Sequence, residues 1–154
     1  ILPAFGAALH AALLSGAMSR VFEMTLQYCN DRMQFGRSLG KFQAVQHQLS
    51  VMAEHTATAS MAAEAAFQGA GKAPSLLAAA MAKSRTSEAA VLVASIAHAL
   101  HGAIGVTEEY DLQLLTRRLH EWRMAHGSEA CWHKVVGEQV LAGTLSLVDF
   151  VRSV

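Results

Sequence analysis

From Pro3 to Asn30 the apolar positions fall at helical steps, with Leu9 and Leu13 on one side, Ser19, Arg20 and Glu23 on the other, and no breaker after Gly16. This pattern predicts one long first helix. A polar, glycine-punctuated corner follows. Beyond it Phe42, Val45, Leu49 and Met52 recur at three- and four-residue steps, with Gln46, Gln48, Glu54 and His55 between them, which predicts a second helix running to about Phe67. Gly69-Ala70-Gly71-Lys72-Ala73-Pro74 reads as a stop and a restart, because glycine closes one helix and proline suits the first turn of the next. The third helix is expected from about Ser75 to His101, where Gly102 and Gly105 break it. Thr107 with Glu108 and Glu109 places a capping hydroxyl and two carboxylates at a helix start, and Arg117, Arg118 and Arg123 complement its far end. After Gly127-Ser128-Glu129 a final helix is predicted from about Ala130 to Phe150. No stretch reads as an alternating strand. The expected fold is all-α, an up-and-down four-helix bundle with an additional C-terminal helix, as one domain over residues 1–154.

Composition sharpens that picture. Hydrophobic residues make up 53% of the 154 residues and charged ones 16%, an alanine-rich mixture that suits closely packed helices and leaves apolar surface for another subunit or domain. Twelve basic residues balance twelve acidic ones, and no Lys/Arg cluster supplies the footprint of a nucleic-acid binder. Cys29 and Cys131 form no metal or disulfide spacing, so a reducing, cytoplasmic setting is expected. The longest apolar run, Ala89 to Leu100, is interrupted by Ser95 and His98 and falls short of the roughly 18 residues of a membrane span, so no membrane segment is expected. The opening Ile1-Leu2-Pro3 reads as part of something longer rather than as a signal peptide. Eight histidines raise a metal reading, but neither Glu-x-x-His pairs nor His-Glu-x-x-His occur, and no metal is expected. The methionines, among them Met18, Met52 and Met81, read as adaptable core filler. Trp122 and Trp132 read as packing at the bundle end ahead of lining a substrate wall.

The corner carries the most specific signal. Arg32, two residues, Phe35-Gly36, a short interval, then Phe42-Gln43 and Gln46 resemble the corner of the C-terminal helical domain of acyl-CoA dehydrogenases. A second block, His101-Gly102-Ala103-Ile104-Gly105 followed by Thr107, Glu108 and Arg117-Arg118, resembles the glycine turn of the same family in the expected order, so the resemblance spans essentially the whole chain. It implies that Arg32, Gln34, Phe35, Phe42 and Gln43 reach FAD of a neighbouring subunit, and that the backbone at Gly102 and Ala103 lies against its adenosine part. Two positions depart: the glutamine expected before the turn is Ala99 and the second glycine is Ala103. The lost amide removes hydrogen bonds worth roughly 0.5–1.5 kcal/mol each, so FAD binding there is expected either to be weaker or to be bridged by His98 or His101.

The resemblance further implies α,β-desaturation of an acyl-CoA thioester, with an electron-transfer flavoprotein downstream and a homo- or hetero-oligomeric assembly. That chemistry needs a base for the α-proton, which the family supplies as a carboxylate. The loop position for it holds His126, and the alternative position, on the first helix, falls at Gly6. Imidazole is able to act as a general base near neutrality, which makes His126 the candidate; Glu129 is the nearest carboxylate in sequence. The missing carboxylate keeps a second reading open, a non-catalytic subunit that completes the FAD site of an active relative. The domain alone is expected to be inactive.

Overall fold

The structure, a computed structural model, describes residues 2–69, 71 and 73–154. Within the described residues six α-helices follow one another: α1 (Leu2–Asp31), α2 (Gln43–Ala65), α3 (Leu76–His101), α4 (Leu112–Met124), α5 (Glu129–Ala142) and α6 (Leu147–Ser153). The expected bundle is present. The central helix is α3, which packs against α1, α2, α4 and α5, while α1 also meets α2 and α4.

Two chemically distinct cores stack along the bundle. At one end Ala4, Ala7, Ala8 and Ala11 of α1 meet Ala63 of α2 and Ala79, Ala80 and Ala82 of α3, closed off by Trp132. Methyl side chains allow helix backbones to approach closely, which explains the alanine richness. Farther along, Leu14, Met18 and Val21 interlock with Met52, Val93, Leu112 and Leu119, and full burial of side chains of this size contributes roughly 1.5–3 kcal/mol each.

Several boundaries differ from expectation. α2 ends at Ala65, before Phe67, and of the link that follows, Ala70 and Lys72 lie outside the described residues, as does Ile1. α3 starts where expected, capped by Ser75, whose Oγ accepts the Ala78 amide at 3.1 Å, but Pro74 lies just ahead of the helix instead of in its first turn. Thr107 does not cap a helix: its hydroxyl turns back to donate to the Ile104 carbonyl at 2.8 Å, closing a 3₁₀ turn over Gly102–Val106, and α4 begins only at Leu112. The last predicted helix is two. Gly143 stands extended after α5, and Ser146 opens α6 by accepting the Asp149 amide while donating to its carboxylate.

Strand is present after all, in one place. Met33–Gln34 (β1) and Arg37–Ser38 (β2) form an antiparallel hairpin with Met33 opposite Ser38 and Gln34 opposite Arg37. α1 is also long and apolar enough to cross a membrane by length and composition, as is the segment Leu76–Val106, although half or slightly less of each apolar window is buried inside the bundle. Counting uninterrupted apolar runs missed this because helix faces, rather than runs, carry the hydrophobicity.

Candidate functional site

Three places hold the residues the sequence singles out. The first is the hairpin corner. A two-residue β-turn matching the strands' twist needs left-handed backbone at both central residues, and Phe35 (φ 52°) and Gly36 (φ 79°) adopt it. Glycine takes this conformation freely, whereas a bulky aromatic there is strained. The strain brings no burial in exchange, since Phe35 is 91% exposed. Its ring meets only the edge of Phe42, at 6.2 Å, and Arg37 lies over the other aromatic at 4.1 Å. Gln46 ties the corner together by donating to the Gly40 carbonyl at 2.9 Å. Arg32, Gln34 and Gln43 are exposed, and their side chains take no hydrogen-bond partner among the described residues. A free cation, two amides and a strained aromatic on one corner suit an anionic, planar ligand or a partner surface.

The second place is the glycine turn after α3. Gly102 (φ 67°) lets the chain leave the helix, and Ala103 sits exposed beside it. Both nearby histidines are used inward. The Nδ1–H of His101 donates to the Ala97 carbonyl at 2.8 Å and its ring stacks on Tyr28 at 4.4 Å, leaving Nε2 buried without a partner among the described residues. His98 pairs through Nε2 with Thr116 at 2.8 Å. Burial pushes both imidazoles below their ordinary pKa, with neighbouring His120 adding to the effect on His98 and His98 to that on His101.

The third place is the loop between α4 and α5. His126 (φ 56°) and Gly127 (φ 94°) are again consecutive left-handed residues. Here the turn is thoroughly secured. Trp132 Nε1 donates to the His126 carbonyl at 2.8 Å, and buried Lys83 donates to the carbonyls of Arg123 and Gly127, both at 2.8 Å. A Cβ on Gly127 would lie 2.8 Å from Trp132 Nε1, so the residue is glycine for space as well as for φ.

The imidazole of His126 lies across α1. A Cβ built on Gly6 would come within 2.4 Å of its Nδ1, so the two positions named from sequence as alternative homes for one base are a single place, and here the loop fills it. His10, one turn along, has its ring centroid 4.7 Å from that of His126 and bonds the Gly6 carbonyl through Nδ1 at 2.9 Å. Because the carbonyl accepts, that bond places a proton on Nδ1 of His10. Glu129 is otherwise engaged: it receives Arg123 through both oxygens, and that guanidinium holds the carboxyl below its ordinary pKa. An ionised, paired carboxylate is a poor base.

Along α1 from Gly6, at helical steps, Leu9 and Leu13 continue the same face into an apolar groove of about 600 Å³ that Gly16, Leu115 and Trp122 also line. The tryptophans therefore divide: Trp132 packs and fixes the loop, while Trp122 faces the groove. Among the described residues no group of three metal-ligating side chains occurs. Sequence reasoning missed His10 and Lys83. A lone lysine inside Ala-Met-Ala-Lys-Ser, at Ala80–Ser84 of α3, was the available signal for the second.

Comparison with known proteins bears on all three places. Residues 4–141 match the family described as acyl-CoA dehydrogenase, C-terminal domain. The chain is 40% identical over 114 residues to the acyl-CoA dehydrogenase IpdE2 of Mycolicibacterium smegmatis, covering 74% of this chain and 35% of that protein. Among solved structures, butyryl-CoA dehydrogenase from Megasphaera elsdenii superposes with a TM-score of 0.81 at 26% identity, over 88% of this chain and 36% of that one. A glutaryl-coenzyme A dehydrogenase in complex with glutaryl-CoA does so with a TM-score of 0.80 at 26% identity, over 91% and 36%. The chain thus spans about a third of the length of these relatives.

Proposed function

We propose, from the premise that this chain belongs to the acyl-CoA dehydrogenase family as its C-terminal helical domain, that the whole protein desaturates an acyl-CoA thioester at the α,β bond, with His126 at the place of the base. The observation that carries this reading is the ring of His126 lying where a Gly6 side chain would stand. FAD, when bound, supplies the acceptor for the β-hydride. Arg32, Gln34, Phe35, Phe42 and Gln43 would hold it at the exposed corner, with the backbone at Gly102 and Ala103 as a second contact; the free cation, amides and aromatics there fit a pyrophosphate and a flat ring system.

This chain's own part in the reaction is to hold a proton acceptor still. A ring nitrogen of His126 takes the α-proton as the electron pair of that C–H bond becomes the new C=C bond. The ring of His10, its centroid 4.7 Å away, stands beside the resulting imidazolium. The apolar groove beyond Leu9 and Leu13 suits the acyl portion. Exposed Leu2, Leu141, Leu145 and Leu147 support contact with further subunits or domains, an oligomer of like or unlike chains, with an electron-transfer flavoprotein to reoxidise the cofactor. Two free cysteines support a cytoplasmic setting.

Anaerobic bleaching of the flavin in the full-length protein by a panel of acyl-CoA thioesters tests the proposal. His126→Ala is expected to keep the flavin and slow bleaching by roughly 10²–10⁴-fold, the usual contribution of a removed acid-base group. A second reading rests on the absence of a carboxylate at residues 6 and 126 and the engagement of Glu129 by Arg123: this chain would then be a non-catalytic subunit completing the FAD site of a relative. Under it, the same substitution leaves turnover of the heteromer within a few-fold.

A further inference from the structure

Lys83 is completely buried on α3. An ammonium has three N–H donors, and all three are used: on Ser87 Oγ, on the carbonyl of Arg123 and on the carbonyl of Gly127, each at 2.8 Å. None of these partners is a carboxylate. Taking an ammonium out of water is costly, and filling this slot in an alanine-lined interior does not require a charge. What the charge meets is the end of α4, whose last carbonyls lack helical partners and form the negative pole of the helix. The Arg123 carbonyl is one of these, and Gly127 O lies just past the turn.

The two carbonyls that Lys83 holds flank His126, and the carbonyl of His126 itself is held by Trp132. With these oxygens drawn inward onto α3 and α5, the left-handed turn at His126 and Gly127 is fixed, and the side chain at 126 is left facing α1. We propose that Lys83 is a positioning residue for position 126: reaching from α3, it caps α4 and clamps the turn that lays the imidazole against Gly6 and His10. This rests on the reading of His126 as the base for its catalytic meaning, but the clamp itself is testable without turnover.

Two features of the clamp set the expectations. Burial pulls the Lys83 pKa from an ordinary 10.5 down to about 8, with Arg123 lowering it further and Glu129 and Cys131 acting to raise it. An opened loop that lets water reach Lys83 therefore binds a proton more readily than the closed one between these values. Closure is most favoured above about 10.5 and loses that advantage as pH falls through about 8. The neutral amine remains fully bonded, donating to both carbonyls and accepting from Ser87.

Hydrogen exchange of the full-length protein, resolved to residues 123–128, tests the clamp. Lys83→Met is expected to speed opening of this segment by roughly tenfold or more, the scale of losing bonds to a charged donor, while α2 and the flavin content stay as in the wild type. In the wild type, opening should become rarer on the order of a hundredfold from pH 8 to pH 10.5 after correction for intrinsic exchange, and Lys83→Met should lack that slope. The slope marks the amine as buried behind this segment, and the faster opening in Lys83→Met marks its bonds as what holds the segment. Equal opening in both proteins, or the same slope in both, overturns the proposal; should Lys83→Met fail to fold, a flat wild-type profile does so alone. If the clamp behaves as expected but no acyl-CoA bleaches the flavin, the functional reading fails and the clamp stands. If His126→Ala abolishes bleaching while Lys83→Met leaves the segment unchanged, only the clamp falls.

Discussion

Phe35-Gly36 and His126-Gly127 have nearly the same backbone and opposite surroundings. Each puts a ring-bearing residue and then a glycine into left-handed conformation, at a cost of about 1–2 kcal/mol for the first of the two. At His126 the rest of the chain compensates: Lys83 and Trp132 satisfy the carbonyls, Glu129 pairs with Arg123, and the ring rests on α1. At Phe35 the described residues offer only the edge of Phe42. The Phe35 ring stands in solvent and Arg32 and Gln43 are exposed beside it. Of two similarly strained turns, one is secured within the domain and the other stands open at its surface. A chemical group that must stay put belongs on the first kind, and a docking corner on the second.

The comparison is most sharply broken at Gly6. Gly6→Ala puts a methyl where the imidazole lies, and His126 must swing away. Flavin reduction in the full-length protein is expected to fall by up to roughly 10²-fold, while stability changes little, because alanine in a helix gains about 1 kcal/mol over glycine and offsets the lost contact. Combining Gly6→Glu with His126→Gly moves an acid-base group from loop to helix within the same place and should recover much of the rate. Unchanged reduction in Gly6→Ala would show that the two positions are not coupled.

A smaller effect is expected at Gly127. Its Cβ would meet the buried Trp132, and φ is positive, so Gly127→Ala should cost about 1–3 kcal/mol in urea unfolding. The glycine turn after α3 comes next. Because burial lowers the pKa of His101 and His98 in the folded state, the unfolded chain binds more protons below its own imidazole range. Stability is then complete above about pH 6.5 and declines as pH falls below it. His101→Phe should flatten this decline in thermal unfolding followed across that range. Smallest is the corner, where Phe35→Ser is expected to leave unfolding within about 0.5 kcal/mol of wild type, as for other exposed positions. A large loss there would mean that the corner is as self-sufficient as the loop.

The helices were legible because their apolar positions repeat at helical steps and α1, α2 and α3 are long enough for the repeat to be counted. The hairpin was not, because Phe35 is a poor turn former and the strands are two residues each, too short for alternation to register. The break at Gly143 was missed although Ser146 and Asp149 form a recognisable start signal. At the candidate site, the sequence named His126 and Gly6 but had no way to bring them together, since that contact depends on how α4 and α5 pack against α1. Lys83 was overlooked because two of its three partners are main-chain carbonyls 40 and 44 residues away, and a pairing to main chain leaves no matching side chain in the sequence.

The claim that the exposed corner waits for a flavin is tested most directly by the visible absorption spectrum of the full-length protein, purified as the wild type and as Arg32→Ala and titrated with FAD. The wild type should carry flavin bands, and Arg32→Ala should bind FAD roughly ten- to a hundredfold more weakly, the scale of a lost charge-assisted contact, with its helical content unaltered. An FAD affinity unchanged by Arg32→Ala would contradict the assignment of this corner to the cofactor.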